Sequence, residues 1–236
     1  MAIAKDTSTD LGVAFATSLT TAHTCTGSDL ILFVGGWGNV NVDNWTGVTY
    51  NGVAMTRVNA VIYYGNSRYD YIYALLNPAT GTHNVVISAS DSGGISANAT
   101  SFTGVDQATS VSSLPQTTGN GTNSTSTSLS VTAAYDNSNA YGMMHGMGTA
   151  GTNTTKDSGN NGQAGYHRTT NLTPAGTLTL AWTNGGATDF GCNLVAFGPV
   201  QPNLANVKTI NGLAKASVKT INGLAIASVK SWNGLS

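Results

Sequence analysis

Short runs of Val, Ile, Thr and Tyr, separated by Gly, Asn, Asp and Pro, recur between residues 11 and 198. Runs of this length and composition are typical of β-strands bounded by turns, and apolar residues seldom recur here at helical spacing. We predict about fourteen strands over this stretch. Many short strands with Gly-rich turns predict an all-β fold, either a sandwich or a barrel.

One hairpin is specified closely by its turn residues. Asn51-Gly52 separates Val48-Thr49-Tyr50 from Val53-Ala54-Met55. A type I′ turn needs positive φ at both central residues, and Asn-Gly supplies this at low cost. Residues 115–125 and 150–162 are instead polar and Gly-rich, which predicts two exposed loops at one end of the fold, where contacts with partners are common.

The C-terminal end repeats with a period of eleven residues. The unit VKTINGLAKAS from Val207 is followed by VKTINGLAIAS from Val218 and by VKSWNGLS from Val229. Each unit contains Asn-Gly, which predicts a small antiparallel meander with strands such as Leu213 to Ile221. A meander of this size is not stable alone, so it must pack on its own domain or on the same tail of another subunit.

The repeats therefore predict an attachment or oligomerisation module over residues 207–236. A linker at residues 199–206 joins it to a β-sandwich domain at residues 1–198. The predicted contact residues are the apolar and Asn-Gly positions of the three units: Val207, Ile210, Asn211, Gly212, Leu213, Val218, Ile221, Asn222, Gly223, Leu224, Val229, Trp232, Asn233 and Gly234.

Charged residues are few, and their small number argues against several classes of function. Only 8% of the residues are charged, and the formal net charge is −1. Nine cations among 236 residues do not form the clusters that bind nucleic acid. No apolar run is long enough to cross a membrane as a helix, and the N-terminus lacks the pattern of a signal peptide. A near-neutral surface rich in Thr, Ser, Asn and Gly favours association.

The net charge conceals an asymmetry along the chain. Residues 1–206 contain five Lys or Arg and ten Asp, which gives −5, whereas residues 207–236 contain four Lys and no acid, which gives +4. Opposite signs steer a tail towards a neighbouring body, although salt weakens the effect. We therefore expect attachment to weaken when Lys208, Lys215, Lys219 and Lys230 are neutralised.

Several segments together resemble a known module. They are Ser28 to Val34, Val48 to Met55, Tyr73 to Val86 and Ala99 to Asp106. In this order they resemble a jelly-roll-like β-sandwich module of bacteriophage virion and tail-associated proteins and of some bacterial surface proteins, over residues 15–200. The tail is similar to short VKT-NGLA repeats at the ends of phage structural proteins. The resemblance implies an antiparallel jelly-roll-like β-sandwich with a C-terminal β-repeat tail and a structural or adhesive role, and it carries no catalytic residue.

Motifs for catalysis, cofactors and metals are weak. The GMGTAG sequence at 146–151 matches G-x-G-x-x-G but lacks the following helix and acid. The four His and ten Asp show no metal or hydrolase spacing, and a turn or edge position explains Asp70. We predict no catalytic residue, cofactor or metal. Cys25 and Cys192 are better explained as buried small hydrophobes than as a disulfide, which stays an alternative.

One Asn-rich segment is a candidate ligand site. Asn39, Asn41 and Asp43 alternate as in a Ca²⁺ loop, although a plain Asx-rich loop is favoured. The neighbouring Trp37 and Trp45 are predicted to be exposed sugar contacts together with Asn41 and Asp43.

Three tyrosines at alternate positions share one strand face, namely Tyr69, Tyr71 and Tyr73. They are predicted to face the core, with a stacking platform for sugar or a subunit contact as the alternative.

These observations predict a non-enzymatic structural protein of a phage virion: a capsid decoration protein, a head fibre or a tail-fibre component. Its expected partners are other virion proteins and copies of itself, with a trimer as the expected oligomer, and neither nucleic acid nor a membrane. We expect it on the virion surface or tail after release by lysis. The alternative is a carbohydrate-binding module for host or environmental glycans.

Overall fold

The structure, a computed structural model, describes residues 2–38, 42–63, 68–146, 148–159 and 163–201, together with four two-residue strands near the C-terminus. The chain divides into two compact units, Met1–Pro199 and Val200–Ser236, called here the body and the tail. Apart from one 3₁₀ turn at Val111–Ser113, the described body consists of strands, turns and irregular segments. Every strand pair is antiparallel, which confirms the predicted all-β antiparallel class.

Three sheets make up the body. The outer sheet has the order β2 (Ser18–Cys25), β8 (Gly81–Ala89), β4 (Trp45–Tyr50) and β5 (Val53–Ala54). The middle sheet has the order β1 (Ala4–Ala14), β9 (Ile95–Thr103), β3 (Ile31–Gly38), β7 (Arg68–Leu76) and β6 (Thr56–Tyr63). The large sheet has the order β10 (Gln116–Thr132), β15 (Thr177–Phe197), β11 (Asn139–His145), β14 (Gln163–Arg168) and β13 (Thr154–Ser158), with β12 (Thr149–Ala150) beside β15.

The middle sheet is buried on both faces, so the sandwich has three stacked layers. Along β3, Leu32 and Val34 pack towards the outer sheet, whereas Ile31 and Phe33 pack towards the large sheet. Side chains alternate between the faces of a strand, which is why one run of apolar residues serves two cores. The predicted inward position of the tyrosines is confirmed, because Tyr71 and Tyr73 are buried against the outer sheet and Tyr69 packs beside them.

A third core lies on the far face of the large sheet. There the outer half of the β10–β15 pair, Ser126–Thr132 with Thr177–Thr183, folds back over the sheet; we call it the outer ribbon. Two glycines show how closely the outer ribbon approaches the sheet. A Cβ added to Gly142 of β11 would lie 2.8 Å from the Leu180 side chain, and one added to Gly119 would lie 2.9 Å from the Leu129 side chain. Trp182 belongs to the ribbon, and its side chain is wholly buried on the side of the ribbon that faces the sheet.

The predicted hairpin is confirmed and the two predicted loops are wrong. Tyr50 pairs with Val53, and the turn residues Asn51 and Gly52 have φ of 50° and 76°. Residues 116–125 are part of β10, and residues 154–158 form β13. Thr and Ser suit a strand when a neighbouring strand supplies backbone hydrogen bonds, and β15 and β14 supply them here.

Candidate functional site

The described tail residues form two separate β-hairpins with the same register. Strand β16 (Thr209–Ile210) pairs with β17 (Leu213–Ala214), and β18 (Thr220–Ile221) pairs with β19 (Leu224–Ala225). Ile210 pairs with Leu213, and Ile221 pairs with Leu224, eleven residues further on. The sequence repeat is therefore also a repeat of backbone pairing.

The other predicted tail contacts lie outside the described residues: Val207, Asn211, Gly212, Val218, Asn222, Gly223, Val229, Trp232, Asn233 and Gly234. Of the strand predicted from Leu213 to Ile221, the structure describes only the two ends.

The prediction that Trp37 and Trp45 are exposed sugar contacts is wrong. Trp37 is 5% exposed: the Arg68 guanidinium lies 4.5 Å from its ring centroid, and the His145 ring stacks 5.6 Å away. Trp45 is 3% exposed and stacks on Tyr71 at 4.6 Å. These rings are covered by side chains from strands distant in sequence, which nothing in the local sequence reveals.

The two polar residues predicted beside these rings have different outcomes. Asp43 is exposed, and its Oδ2 accepts a 2.7 Å hydrogen bond from the Arg57 guanidinium. Asn41 and Asn39 lie outside the described residues, so the Ca²⁺ alternative stays a prediction. Among the residues that the structure describes, no three His, Cys, Asp or Glu side chains are grouped as metal ligands.

Trp37 belongs to a buried polar cluster between the middle and large sheets. In the middle sheet, Ser96 of β9 and Asp70 of β7 are its direct cross-strand neighbours. His145 of β11 approaches from the large sheet, with Nδ1 3.7 Å from Asp70 Oδ1. Arg68, two residues before Asp70, donates a 3.1 Å hydrogen bond to His145 Nε2. We call Arg68, Trp37, His145 and Asp70 the inter-sheet cluster.

Burial governs the protonation of this cluster. Desolvation lowers the pKa of His145 to about 3, and the positive charge of Arg68 acts in the same direction. The imidazole is therefore neutral at pH 7, and because Nε2 accepts from Arg68, its proton lies on Nδ1. Burial also raises the pKa of Asp70 well above its usual value, while Arg68 opposes that shift. The contact between His145 and Asp70 is consequently not an ion pair.

Sequence reasoning missed this cluster. The prediction of a turn or edge position for Asp70 is wrong, because Asp70 lies within β7, which is paired on both sides, and is wholly buried. Among the residues that the structure describes, neither carboxylate oxygen has a hydrogen-bond partner. One local signal exists: Ile72 and Ala74 share the face of Asp70, while tyrosines occupy the other, so the strand is apolar on both faces. Asp70 and His145 are both buried, with 0% and 4% of their surface exposed.

We expect Asp70→Asn to stabilise the protein at neutral and alkaline pH. Between the ordinary pKa of 3.8 and the raised pKa of the folded protein, the folded state retains a proton that the unfolded state has lost. The stability of the wild type therefore falls as the pH rises between these two values. Removing the ionisable group should therefore raise the free energy of unfolding at pH 8 above that of the wild type. Urea denaturation at several pH values measures this gain.

The gain from Asp70→Asn should shrink towards zero below about pH 3, where the wild-type carboxyl is neutral in both states. A suitable control is Asp43→Asn, which removes an exposed ion pair and should change the stability by less than about 1 kcal/mol at every pH. A gain that is the same at all pH values would contradict the assigned burial of an ionisable group.

A second network joins the outer and middle sheets around His23. Its Nε2 lies 3.3 Å from Ser101 Oγ, and its Nδ1 lies 2.8 Å from Thr9 Oγ1. Ser101 Oγ donates to Asp6 Oδ2 at 2.7 Å. In a catalytic triad the carboxylate orients the histidine, whereas here it binds the serine. Burial lowers the pKa of His23 to about 4, against the opposing charge of Asp6, and Ser101 is wholly buried. The arrangement therefore holds strands together.

A third polar contact ties the middle sheet to the large sheet. Asp157 of β13 accepts a 2.7 Å hydrogen bond from His167 Nδ1, and Lys5 Nζ of β1 lies 3.4 Å from the same oxygen. The Asp157 side chain is fully buried, whereas that of Lys5 is 35% exposed.

The two cysteines do not form a disulfide. Cys25 and Cys192 are both free and buried, and they lie in the outer and large sheets respectively. Burial raises the pKa of each thiol. The favoured explanation, two small buried hydrophobes, is confirmed.

Comparisons of the chain with family models, with curated proteins and with solved structures found no match. Within the described residues, no helix is long and apolar enough to cross a membrane.

Proposed function

We propose that this protein is a non-enzymatic structural component of a bacteriophage virion that assembles through its C-terminal repeats. A capsid decoration protein, a head fibre and a tail-fibre component all match this role. Its partners are copies of itself, with a trimer as the expected state, and other proteins on the virion surface or tail.

The observation that carries the proposal is the repeated hairpin of the tail. Each hairpin has two residues in each strand, and Ile and Leu pair at the same place in both. A single two-stranded hairpin is marginally stable at best in water, so these units need a surface to pack against. Nearly identical units at a fixed period offer a similar contact repeatedly, which allows multivalent attachment.

The charges support the same role. The first 206 residues carry −5, and the remaining thirty carry +4 without a single acid. A basic tail that meets the acidic body of a neighbour encounters attraction. The resemblance to phage structural modules supports a virion as the setting of such an assembly.

Two substitutions in the full-length chain test the role of the repeats. We expect Ile210→Asp with Ile221→Asp to weaken self-association at least tenfold, because each places a carboxylate at the paired apolar position of a hairpin. Sedimentation velocity over a range of concentrations measures this change.

A matched control replaces two apolar residues that the body already exposes. Phe15→Asp with Val53→Asp adds the same charge at side chains that are 74% and 53% exposed, and association should persist. If the tail variant associates as strongly as this control, the repeats do not mediate assembly.

A further inference from the structure

The edge of the large sheet contains a long strand that pairs on one side only. Strand β10 is bonded to β15, and within the described residues no strand pairs with its other side. It has seventeen residues, with no charged side chain and no proline. Proteins usually protect such edges with charges, prolines or short strands, because an open edge recruits another strand.

Other edges of the body carry that protection. Strand β5 has only two residues. Charged residues occur in β1, β6 and β13, for example Lys5, Arg57 and Lys156. The edge strand β2 is bonded to β1 by side chains, as where Thr21 Oγ1 donates to the Leu11 carbonyl at 2.8 Å. Among the described edges, β10 thus combines length with a lack of charge.

We propose that the segment Ser126–Thr132 of β10 pairs antiparallel with the same segment of a second copy of this chain. This stretch follows the two register shifts in the pairing of β10 with β15, and its own pairing with β15 runs without a shift. About seven residues at 3.4 Å each give an edge roughly 23 Å long. Pairing across a two-fold axis at Leu129 sets Ser128 opposite Ser130 of the second copy, and Ser126 opposite Thr132.

The side chains of this segment are complementary to themselves. The residues on the exposed face are Ser126, Ser128, Ser130 and Thr132, and each carries a hydroxyl group. In the proposed register, every one of these hydroxyls therefore lies opposite a hydroxyl of the second copy. The molecule already uses such pairs: Ser130 and Thr179 lie opposite each other with hydroxyls 2.8 Å apart, as do Thr24 and Thr82. Opposed hydroxyl pairs stabilise antiparallel strands.

The inward face is complementary as well. Val131 is buried, and Leu129 packs against the core beneath the outer ribbon. The same axis sets Leu129 against its own copy and Val131 against Thr127, so the apolar layer continues from one body into the next. Because the segment carries no charge, identical strands meet without repulsion. A two-fold contact of this kind uses one patch twice.

A register-specific disulfide tests this contact in the full-length chain. Ser128→Cys and Ser130→Cys are made as separate variants, mixed in equal amounts and oxidised mildly. The proposed register joins position 128 of one chain to position 130 of the other, so the mixture should form at least ten times more covalent dimer than either variant alone. Peptide mass mapping after proteolysis identifies the joined residues.

A matched pair controls for random collision. Asn84→Cys and Ser88→Cys lie on exposed positions of β8, which is paired on both sides, and their mixture should show no such excess. Cross-linking of the 128 and 130 mixture that does not exceed this control overturns the proposal. Adding Ile210→Asp and Ile221→Asp separates the two interfaces: the cross-link should persist, and its loss would overturn an interface that is independent of the tail.

Discussion

Gly36→Ala is expected to lower the free energy of unfolding by about 3 kcal/mol or more, because the new methyl group has no space. Gly36 lies in β3 at the centre of the middle sheet, where a Cβ would stand 2.2 Å from the Ser96 carbonyl oxygen and 2.8 Å from the Trp45 ring. The oxygen belongs to the neighbouring strand, so relief requires moving that strand. Urea denaturation followed by tryptophan fluorescence measures the loss.

Gly47→Ala provides the matched control. Gly47 also lies in a strand, but apart from its chain neighbours no atom of the described residues lies within 4 Å of the position that a Cβ would take there. Its substitution should change the free energy of unfolding by no more than about 0.5 kcal/mol. Equal stabilities of the two variants would contradict the close packing of β3, β9 and the outer sheet.

Trp182→Ala is expected to lower the free energy of unfolding by about 3–5 kcal/mol. The indole is wholly buried under the outer ribbon and lies edge-on to Tyr166, with ring centroids 5.9 Å apart. Within the described part of the chain its Nε1 has no hydrogen-bond partner, so the loss comes from packing and from the cavity. Chemical denaturation of the purified variant measures it.

Phe15→Ala is the control for removal of an aromatic ring. Phe15 is 74% exposed, and its loss should cost no more than about 0.5 kcal/mol. A Trp182→Ala variant as stable as Phe15→Ala would mean that the outer ribbon does not cover the large sheet as described.

Patterns within a few residues were enough to predict part of the fold. Asn51-Gly52 specified its hairpin because only a few residue types adopt positive φ at low cost. The alternation of Tyr69, Tyr71 and Tyr73 identified a core face because side chains in a strand alternate. The strand composition identified the all-β class for the same local reasons.

Features that depend on distant strands were not predictable in this way. Residues 116–125 have the composition of a loop, and they form a strand because β15 supplies partners about seventy residues away. Trp37 is buried by Arg68 and His145, which belong to other strands. Asp70 looked like a turn residue because nothing local shows that the middle sheet is covered on both faces.

The position of the last body strand has a mechanical consequence. The inner half of β15 is paired with β10 on one side and with β11 on the other, and Pro199, two residues after the strand, is bridged to Val105. A pull directed along the axis of β15 would load these hydrogen bonds in shear. Bonds loaded together share the force, whereas bonds at the end of a peeled strand fail one after another. The position of β15 between β10 and β11 would therefore distribute such a pull over two neighbouring strands.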